Sequence, residues 1–445
     1  MTPGRRAPTE REAATSAVQA LYRSNPSYEW QRLERHRTEF AVTWRALAEH
    51  LPPAPAQVLD CGGGPGRYAI ALAQQGYSVT LFDLSPELLG MAREKAAETG
   101  VTLAGYKEGT AIDLSCFDDA AFDAVLLMGP LYHLLDAGDR QQALAEARRV
   151  VRPNGPVFAA FIARYAGHID AAASYPEEAI SQWDAFDRIE TTGVQPPRED
   201  GEVGFVAYFA HPAEVAPLCR RAGLEVTAVL GVEGVCSLRE EKVNALHGKA
   251  WEHWVDVNYR IAHDPSIHGG VEHLLVVCRK PRWRTVLRRV AQALDAAGID
   301  YRVVGSAALA LHGVDVAVHD LDLEMSRASA DLFQTRFAER TVVPVAWRES
   351  DEIRSYFGRF EIDDVAVEVM ADFERRRRGR WVPSLSTTRD TRDVDGVPVT
   401  VLTLEEEVLA QLRRGRLDKV ARALPICDAN GLLTQLAAAQ DLGWL

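Results

Sequence analysis

Apolar positions recur every third or fourth residue over 17–51, with Trp30, Leu33, Phe40, Trp44 and Leu47 in the repeat, and this predicts helix. Leu51-Pro52-Pro53-Ala54-Pro55 ends it, because proline donates no N–H and bars helix in the residue before it. Residues 1–15 are polar and predict no regular element. Beyond Pro55 the pattern changes to short apolar runs at 57–60, 78–83, 122–128 and 157–162, which predict strands. Helical patterns at 67–75, 86–100 and 137–151 alternate with them, and Ser85 is an N-cap candidate. Such alternation predicts a parallel sheet with helices on both faces. Residues 163–210 are irregular and aromatic-rich, with a Gln195-Pro196-Pro197 loop, and read as an insertion placed to cover a site. A helix at 211–222 and strands at 224–230 and 273–278 finish this region, the last a candidate antiparallel strand.

The pattern then restarts. Arg279-Lys280-Pro281-Arg282 marks a boundary, followed by a helix at 283–297, a strand at 301–304, a short helix at 307–313 and a strand at 320–325. Strands at 342–347, 356–362, 365–370 and 398–402 precede a helix at 404–414 and a helical tail. A chain of 445 residues exceeds one ordinary core, so the expected organisation is two domains, 1–280 and 281–445. The net charge of −13 argues against a general affinity for nucleic acid, and the run Arg375-Arg376-Arg377-Arg378 reads as a solvated face. The six cysteines are scattered without a CxxC or Cys/His cluster, which supports neither a disulfide framework nor a zinc site. The longest apolar runs, about a dozen residues, are too short for a bilayer, and residues 1–12 are charged with no apolar signal core. A cytoplasmic protein with no membrane partner is expected.

Candidate chemistry begins at Val58-Leu59-Asp60-Cys61-Gly62-Gly63-Gly64-Pro65-Gly66, with Asp83 at the end of the next strand. A glycine-rich turn lets backbone N–H groups and a helix start approach a ligand, and the second acid can take both hydroxyls of a ribose. Asp60 stands ahead of the glycines, where it would repel a pyrophosphate and receive a cationic amino group. This favours S-adenosylmethionine over a dinucleotide. Together with Glu29-Trp30, Leu81-Phe82-Asp83-Leu84-Ser85-Pro86, Phe122-Asp123-Ala124-Val125-Leu126-Leu127, Gly129-Pro130-Leu131-Tyr132-His133-Leu134 and Arg149-Val150-Val151-Arg152-Pro153-Asn154-Gly155, the stretch resembles class I S-adenosylmethionine-dependent methyltransferases over about 29–278. The resemblance implies a Rossmann-like doubly wound sheet. It implies that Asp60, Gly62, Gly64 and Gly66 hold the methionine end, Asp83 the ribose and Leu84 the adenine face, with Met128 near the sulfonium. The adenine edge would follow Gly109-Thr110-Ala111. Where the family often has Gly-Asp-Ala this chain has Thr110, and Asp113 is the candidate for the missing acid. His133 either takes the acceptor's proton or caps and packs the helix start.

A second constellation reads Val304-Gly305-Ser306-Ala307, then Asp320-Leu321-Asp322. Residues i and i+2 of a strand face one way, so Asp320 and Asp322 can share a divalent metal. Glu368, an acid inside the apolar run 365–370, fits as a third carboxylate, since a lone buried acid is costly. These residues resemble the nucleotidyltransferase superfamily over about 283–445, which implies a second, smaller α/β domain. By that resemblance Gly305 and Ser306 hold an NTP triphosphate, Asp320, Asp322 and Glu368 hold Mg2+, and Glu368 is the base. Lys419 either touches the triphosphate or lies on a surface helix.

Three readings follow: a bifunctional enzyme methylating and nucleotidylating small-molecule acceptors, a methyltransferase whose second domain only binds nucleotide or substrate, or a regulatory module that nucleotidylates a partner protein.

Overall fold

A computed structural model describes residues 9–24, 26–197, 204–377, 379–383 and 388–441. The chain forms two compact units, Met1–Lys280 and Pro281–Leu445.

In the first unit, helices α1 (Glu10–Ser24), α2 (Pro26–Arg35) and α3 (Arg37–His50) precede the sheet. Then follow β1 (Gln57–Cys61), α4 (Arg67–Gln74), β2 (Ser78–Asp83), α5 (Pro86–Glu98), β3 (Gly105–Glu108), β4 (Ala124–Leu127), α6 (Ala137–Val150) and β5 (Pro156–Ala163). The unit closes with α7 (Ala166–Ser174), α8 (Trp183–Thr192), β6 (Val194–Gln195), β7 (Ala207–Ala210), α9 (Pro212–Arg221), β8 (Glu225–Gly231), α10 (Glu240–Asn244), α11 (Gly248–Ile261) and β9 (His273–Arg279).

The strands β3-β2-β1-β4-β5 run parallel in that order, so the order reverses beside β1. A crevice opens beyond strand ends at such a point, and ligands of doubly wound sheets bind there. Strand β9 runs antiparallel to both β5 and β8. Both sheet faces are apolar by alternation. Leu59, Val125, Leu127 and Val157 pack on one side, and Val58, Ala124, Leu126 and Phe158 on the other.

Two expectations change here. Helix begins at Glu10 rather than after residue 15, because Ala14 and Val18 bury against Val206. The supposedly irregular stretch 163–210 contains α7 and α8, and Ile189 of α8 joins Ile162, Ala166, Ala207 and Phe209 in a small core. Helix α7 buries Ala166 and Ala171 and α8 buries Ile189, too few positions to be read as a period.

The second unit comprises α12 (Arg282–Ala296), β10 (Tyr301–Val304), α13 (Gly305–Leu311), β11 (Asp320–Met325), α14 (Arg327–Arg336), β12 (Thr341–Glu349), β13 (Ile353–Ile362), β14 (Val365–Arg377), β15 (Arg380–Pro383), β16 (Asp390–Val394), β17 (Val397–Val401), α15 (Leu404–Arg413), α16 (Leu417–Ala423) and α17 (Ala429–Asp441). The sheet order is β12-β13-β14-β11-β10-β17-β16, with β15 against β14. Leu321, Leu323, Val367 and Val369 enter the core with α12 residues Val286, Val290 and Leu294. Alternation therefore turns Asp320, Asp322 and Glu368 to the opposite face.

Strands β15 and β16 were not foreseen, since Arg380–Pro383 and Asp390–Val394 are short and polar. Arg375, Arg376 and Arg377 extend β14, while Arg378 lies outside the described residues. Helix α13 starts at Gly305 itself, so the expected Gly-Ser turn is the helix's first turn. Among the described residues, no helix is long and apolar enough to cross a membrane.

Candidate functional site

The first unit's crevice is a pocket built by the β1–α4 turn, the ends of β2 and β4, and the N-terminal helices. Gly62, Gly64 and Gly66 adopt left-handed φ values of 74°, 56° and 82°. A Cβ on Gly63 would sit 2.4 Å from the Asp60 carboxylate, so the turn lies directly on that acid. Asp83 accepts from the Gly64 N–H through Oδ2 (2.8 Å) and from the Ser85 N–H through Oδ1 (2.9 Å). Asp60 lines the pocket, and its buried Oδ2 has no hydrogen-bond partner. Burial, reinforced by Asp83, pushes the Asp60 carboxyl up to about 7. Burial also raises Asp83 to about 6, although its backbone hydrogen bonds pull the other way. A buried carboxylate with one oxygen lacking a partner, beside a glycine cradle, fits the cationic amino end of S-adenosylmethionine, and the second acid fits a ribose.

Most of the expected residues meet here. Asp60, Gly62, Gly64, Asp83, Leu84, Thr110, Ala111, Met128 and His133 all line this pocket. Gly66 does not line it, but sits at the N-cap of α4 against Ala92 and Leu81. Asp113 is elsewhere too. It is exposed in a separate surface groove, where its Oδ1 accepts from the Ser115 N–H (3.0 Å).

His133 has both ring nitrogens engaged. Nδ1 lies 2.7 Å from the Val206 carbonyl oxygen, which can only accept, so Nδ1 carries the proton. Nε2 is then the acceptor for the Tyr22 hydroxyl at 2.5 Å. Burial, opposed by the Val206 contact, lowers the imidazole to about 4, which leaves it neutral at physiological pH.

Sequence reasoning did not single out Tyr22, Arg32 or Tyr68 as pocket-lining residues. They belong to helices whose aromatic and basic positions carry no motif. Beneath the pocket, Arg32 donates to both Glu39 oxygens at 2.7 and 3.0 Å. His273 Nδ1 donates to Glu233 at 2.6 Å. Burial works against the charges on Arg32, Glu39 and His273. Arg32 and His273 nevertheless hold Glu39 at about 2, and Glu39 and Glu233 push His273 up to about 9. Glu39, Glu233 and His273 come close enough to suggest a metal triad, but their charges are already mutually satisfied.

In the second unit, Asp322 and Glu368 are register partners on parallel β11 and β14. Carboxylate oxygens of Asp320, Asp322 and Glu368 lie within 4.8 Å of one another. Burial, then Asp320 and Glu368, raises Asp322 to about 6. Burial likewise raises Glu368, although Arg359 pairs with it at 3.0 Å and lowers it. Three clustered carboxylates, two of them held against ionisation, form a donor set suited to a divalent cation.

Gly305 has φ 73°, and a Cβ there would sit 2.3 Å from Asp322 Oδ2, so glycine is required twice over. Lys419 donates to Ser306 Oγ at 2.6 Å, which joins α16 to the start of α13. Glu407 was missed. It is fully enclosed, accepts from the Gly305 N–H (2.9 Å) and from Gln411 (2.6 Å), and burial pushes it up to about 7. Its signal was present: Leu404, Glu407, Val408 and Gln411 share one helix face in an otherwise acidic segment.

Comparison with known proteins finds matches for both units. A Methyltransferase domain family matches residues 58–155, and the Aminoglycoside-2''-adenylyltransferase family matches 286–420. A ubiquinone biosynthesis O-methyltransferase of Xylella fastidiosa is 31% identical over 186 residues, covering 42% of this chain and 68% of that protein. A demethylmenaquinone methyltransferase of Deinococcus radiodurans is 36% identical over 116 residues, covering 25% of this chain and 46% of the relative. Among solved structures, a methyltransferase from Methanosarcina mazei is 20% identical with a TM-score of 0.37, covering 53% of this chain and 97% of its own. A candidate nucleotidyltransferase from Thermotoga maritima is 31% identical with a TM-score of 0.30, covering 32% of this chain and 90% of its own. The chain belongs to the S-adenosylmethionine-dependent methyltransferases and carries a nucleotidyltransferase-like domain after its methyltransferase domain.

Proposed function

We propose that the first unit O-methylates a small aromatic molecule, and that the second transfers a nucleotidyl group from an NTP to a hydroxyl. The observation that carries the first reading is one pocket lined by both Asp60, whose Oδ2 has no partner, and the neutral His133. S-adenosylmethionine supplies an electrophilic methyl group when bound. Asp60 would hold its ammonium and Asp83 its ribose, with Leu84, Thr110 and Ala111 along the adenine and Met128 near the sulfonium. Tyr22, Tyr68 and Tyr132 give the remaining wall an aromatic character suited to a flat acceptor. His133 would accept the acceptor's proton, with Val206 holding the required tautomer. The names of the O-methyltransferase relatives support oxygen as the methylated atom.

In the second unit Asp320, Asp322 and Glu368 would hold Mg2+, which neutralises phosphate charge when bound. Gly305, Ser306 and Lys419 would meet the triphosphate. Glu368 would serve as the base for the attacking hydroxyl. The matching family's name supports an aminoglycoside-like acceptor.

Calorimetric titration with S-adenosylmethionine and then Mg-ATP tests both. Two binding events are expected, the first lost in Asp83→Ala and the second in Asp320→Ala/Asp322→Ala. No S-adenosylmethionine binding would overturn the first assignment. Absence of Mg-NTP binding with ATP, GTP, CTP and UTP would leave the second unit a non-catalytic domain.

A further inference from the structure

We propose that Tyr22 is a second catalytic residue, the link through which the acceptor's proton reaches His133. The inference rests on the O-methylation reading and deepens it.

The geometry has three parts. First, Tyr22 and His133 line the same pocket, and the Tyr22 oxygen lies 2.5 Å from Nε2. Second, the Val206 carbonyl fixes Nδ1 as the protonated nitrogen, so the Tyr22 O–H points its hydrogen at Nε2. Third, that hydroxyl keeps two lone pairs, and among the described residues nothing donates to them. A phenolic oxygen that faces the pocket and already donates to Nε2 can still accept, and the acceptor's own hydroxyl is a donor of the right kind. The rings of Tyr22, Tyr132 and Phe205 flank the imidazole with centroids 5.4, 4.8 and 5.8 Å away. The route to Nε2 therefore runs through the Tyr22 hydroxyl.

The proton balance closes. The acceptor's O–H bond breaks and its proton bonds to the Tyr22 oxygen. The proton Tyr22 already carries moves to Nε2, so tyrosine ends neutral and His133 ends as imidazolium. The electron pair of the acceptor oxygen forms the new bond to the methyl carbon, and the pair of the old carbon–sulfur bond leaves with a neutral thioether. A weak base suffices, because a hydroxyl gaining a methyl group becomes a far stronger acid than imidazolium. His133 returns its proton to solvent after product leaves.

The test uses the full chain as wild type, Tyr22→Phe, His133→Asn and the double variant, with 15N-labelled histidine. Cofactor affinity is titrated directly. Single-turnover transfer from methyl-labelled S-adenosylmethionine is followed to catechol, 4-hydroxybenzoate and 4-nitrophenol. Tyr22→Phe is expected to shift the Nε2 resonance of His133 and leave cofactor affinity within about twofold. It should slow transfer to catechol roughly 10²-fold, comparably to His133→Asn. The double variant should be no slower than the slower single one, since both residues serve one path. Transfer to 4-nitrophenol, about half of which is already ionised at neutral pH, should lose far less. Full activity in Tyr22→Phe beside an impaired His133→Asn overturns the relay and leaves the base assignment standing. A tenfold loss of cofactor affinity with normal transfer at saturation would make Tyr22 a cofactor-binding residue instead. Failure of the wild type to methylate any of the three phenols would sink the O-methylation reading, and the relay with it.

Discussion

The two units place acids at a strand end in opposite ways. Asp60 and Asp83 lie on neighbouring strands, one with an oxygen left without a partner and one held by two backbone amides. Asp320, Asp322 and Glu368 also lie on neighbouring strands, β11 and β14, but crowd together within 4.8 Å on one face. Separated acids read an organic ligand group by group, an ammonium here and a diol there. Crowded acids cannot all ionise comfortably, and their shared need is a compact multivalent cation. The same residue type thus supports two chemistries because the sheet spaces it differently.

That contrast can be broken by experiment. The largest effect is expected from Asp320→Asn/Asp322→Asn, which should reduce nucleotidyl transfer by roughly 10³-fold or more and leave S-adenosylmethionine affinity unchanged. A chelator should do the same to the wild type, stopping nucleotidyl transfer and sparing methyl transfer; paired radiolabel assays would show it. Loss of both activities on chelation would erase the contrast.

Next comes Asp83→Ala, expected to weaken S-adenosylmethionine by roughly 10²-fold through two lost charge-assisted hydrogen bonds, read by calorimetry.

Proton linkage sharpens the comparison further. Asp60 titrates near 7 and Asp83 near 6 before ligand binds. The ammonium favours ionised Asp60, so binding below about 7 must expel a proton. Affinity should therefore fall about tenfold per unit as pH drops from 7 to 6, and more steeply below 6. Calorimetry in two buffers of different ionisation enthalpy would count the released protons; none released at pH 6 contradicts the assignment.

The smallest effect concerns Glu407, raised to about 7 by burial. Between the ordinary carboxylate range and 7, the folded chain holds a proton that the unfolded chain has lost, so stability falls as pH rises. Glu407→Gln keeps an acceptor for the Gly305 N–H and removes that penalty. It should stabilise the second unit by about 1–2 kcal/mol at pH 8 and by nothing near pH 4, as denaturant melts would reveal.

Much of this was legible before any coordinates. Alternating strand and helix patterns gave the first sheet, and the spacing of Asp60, Gly62, Gly64 and Asp83 gave half of its pocket. Likewise, Asp320, Asp322 and Glu368 announced themselves by period two within apolar strands. What escaped was the wall of the pocket. Tyr22 and Arg32 act from helices that precede the sheet, where a tyrosine or arginine looks like any surface residue. Asp113 misled for a related reason, because a nearby acid in sequence is turned outward by its Asp113–Ser115 turn. Periodicity reports which face a residue takes, but not which distant helix will come to lie over it.

The buried pairing of Arg32 with Glu39, and of His273 with Glu233, has a consequence for anyone who would re-engineer the acceptor site. These four side chains behave as a keystone course, in which no single block can be lifted out. Replacing Glu39 alone leaves Arg32 with the longer Glu29 contact at 3.7 Å, and replacing Arg32 alone leaves the buried Glu39 with His273 at 3.8 Å. New acceptor specificities beneath this pocket should therefore emerge from paired exchanges, and libraries built one position at a time should return mostly unfolded chains.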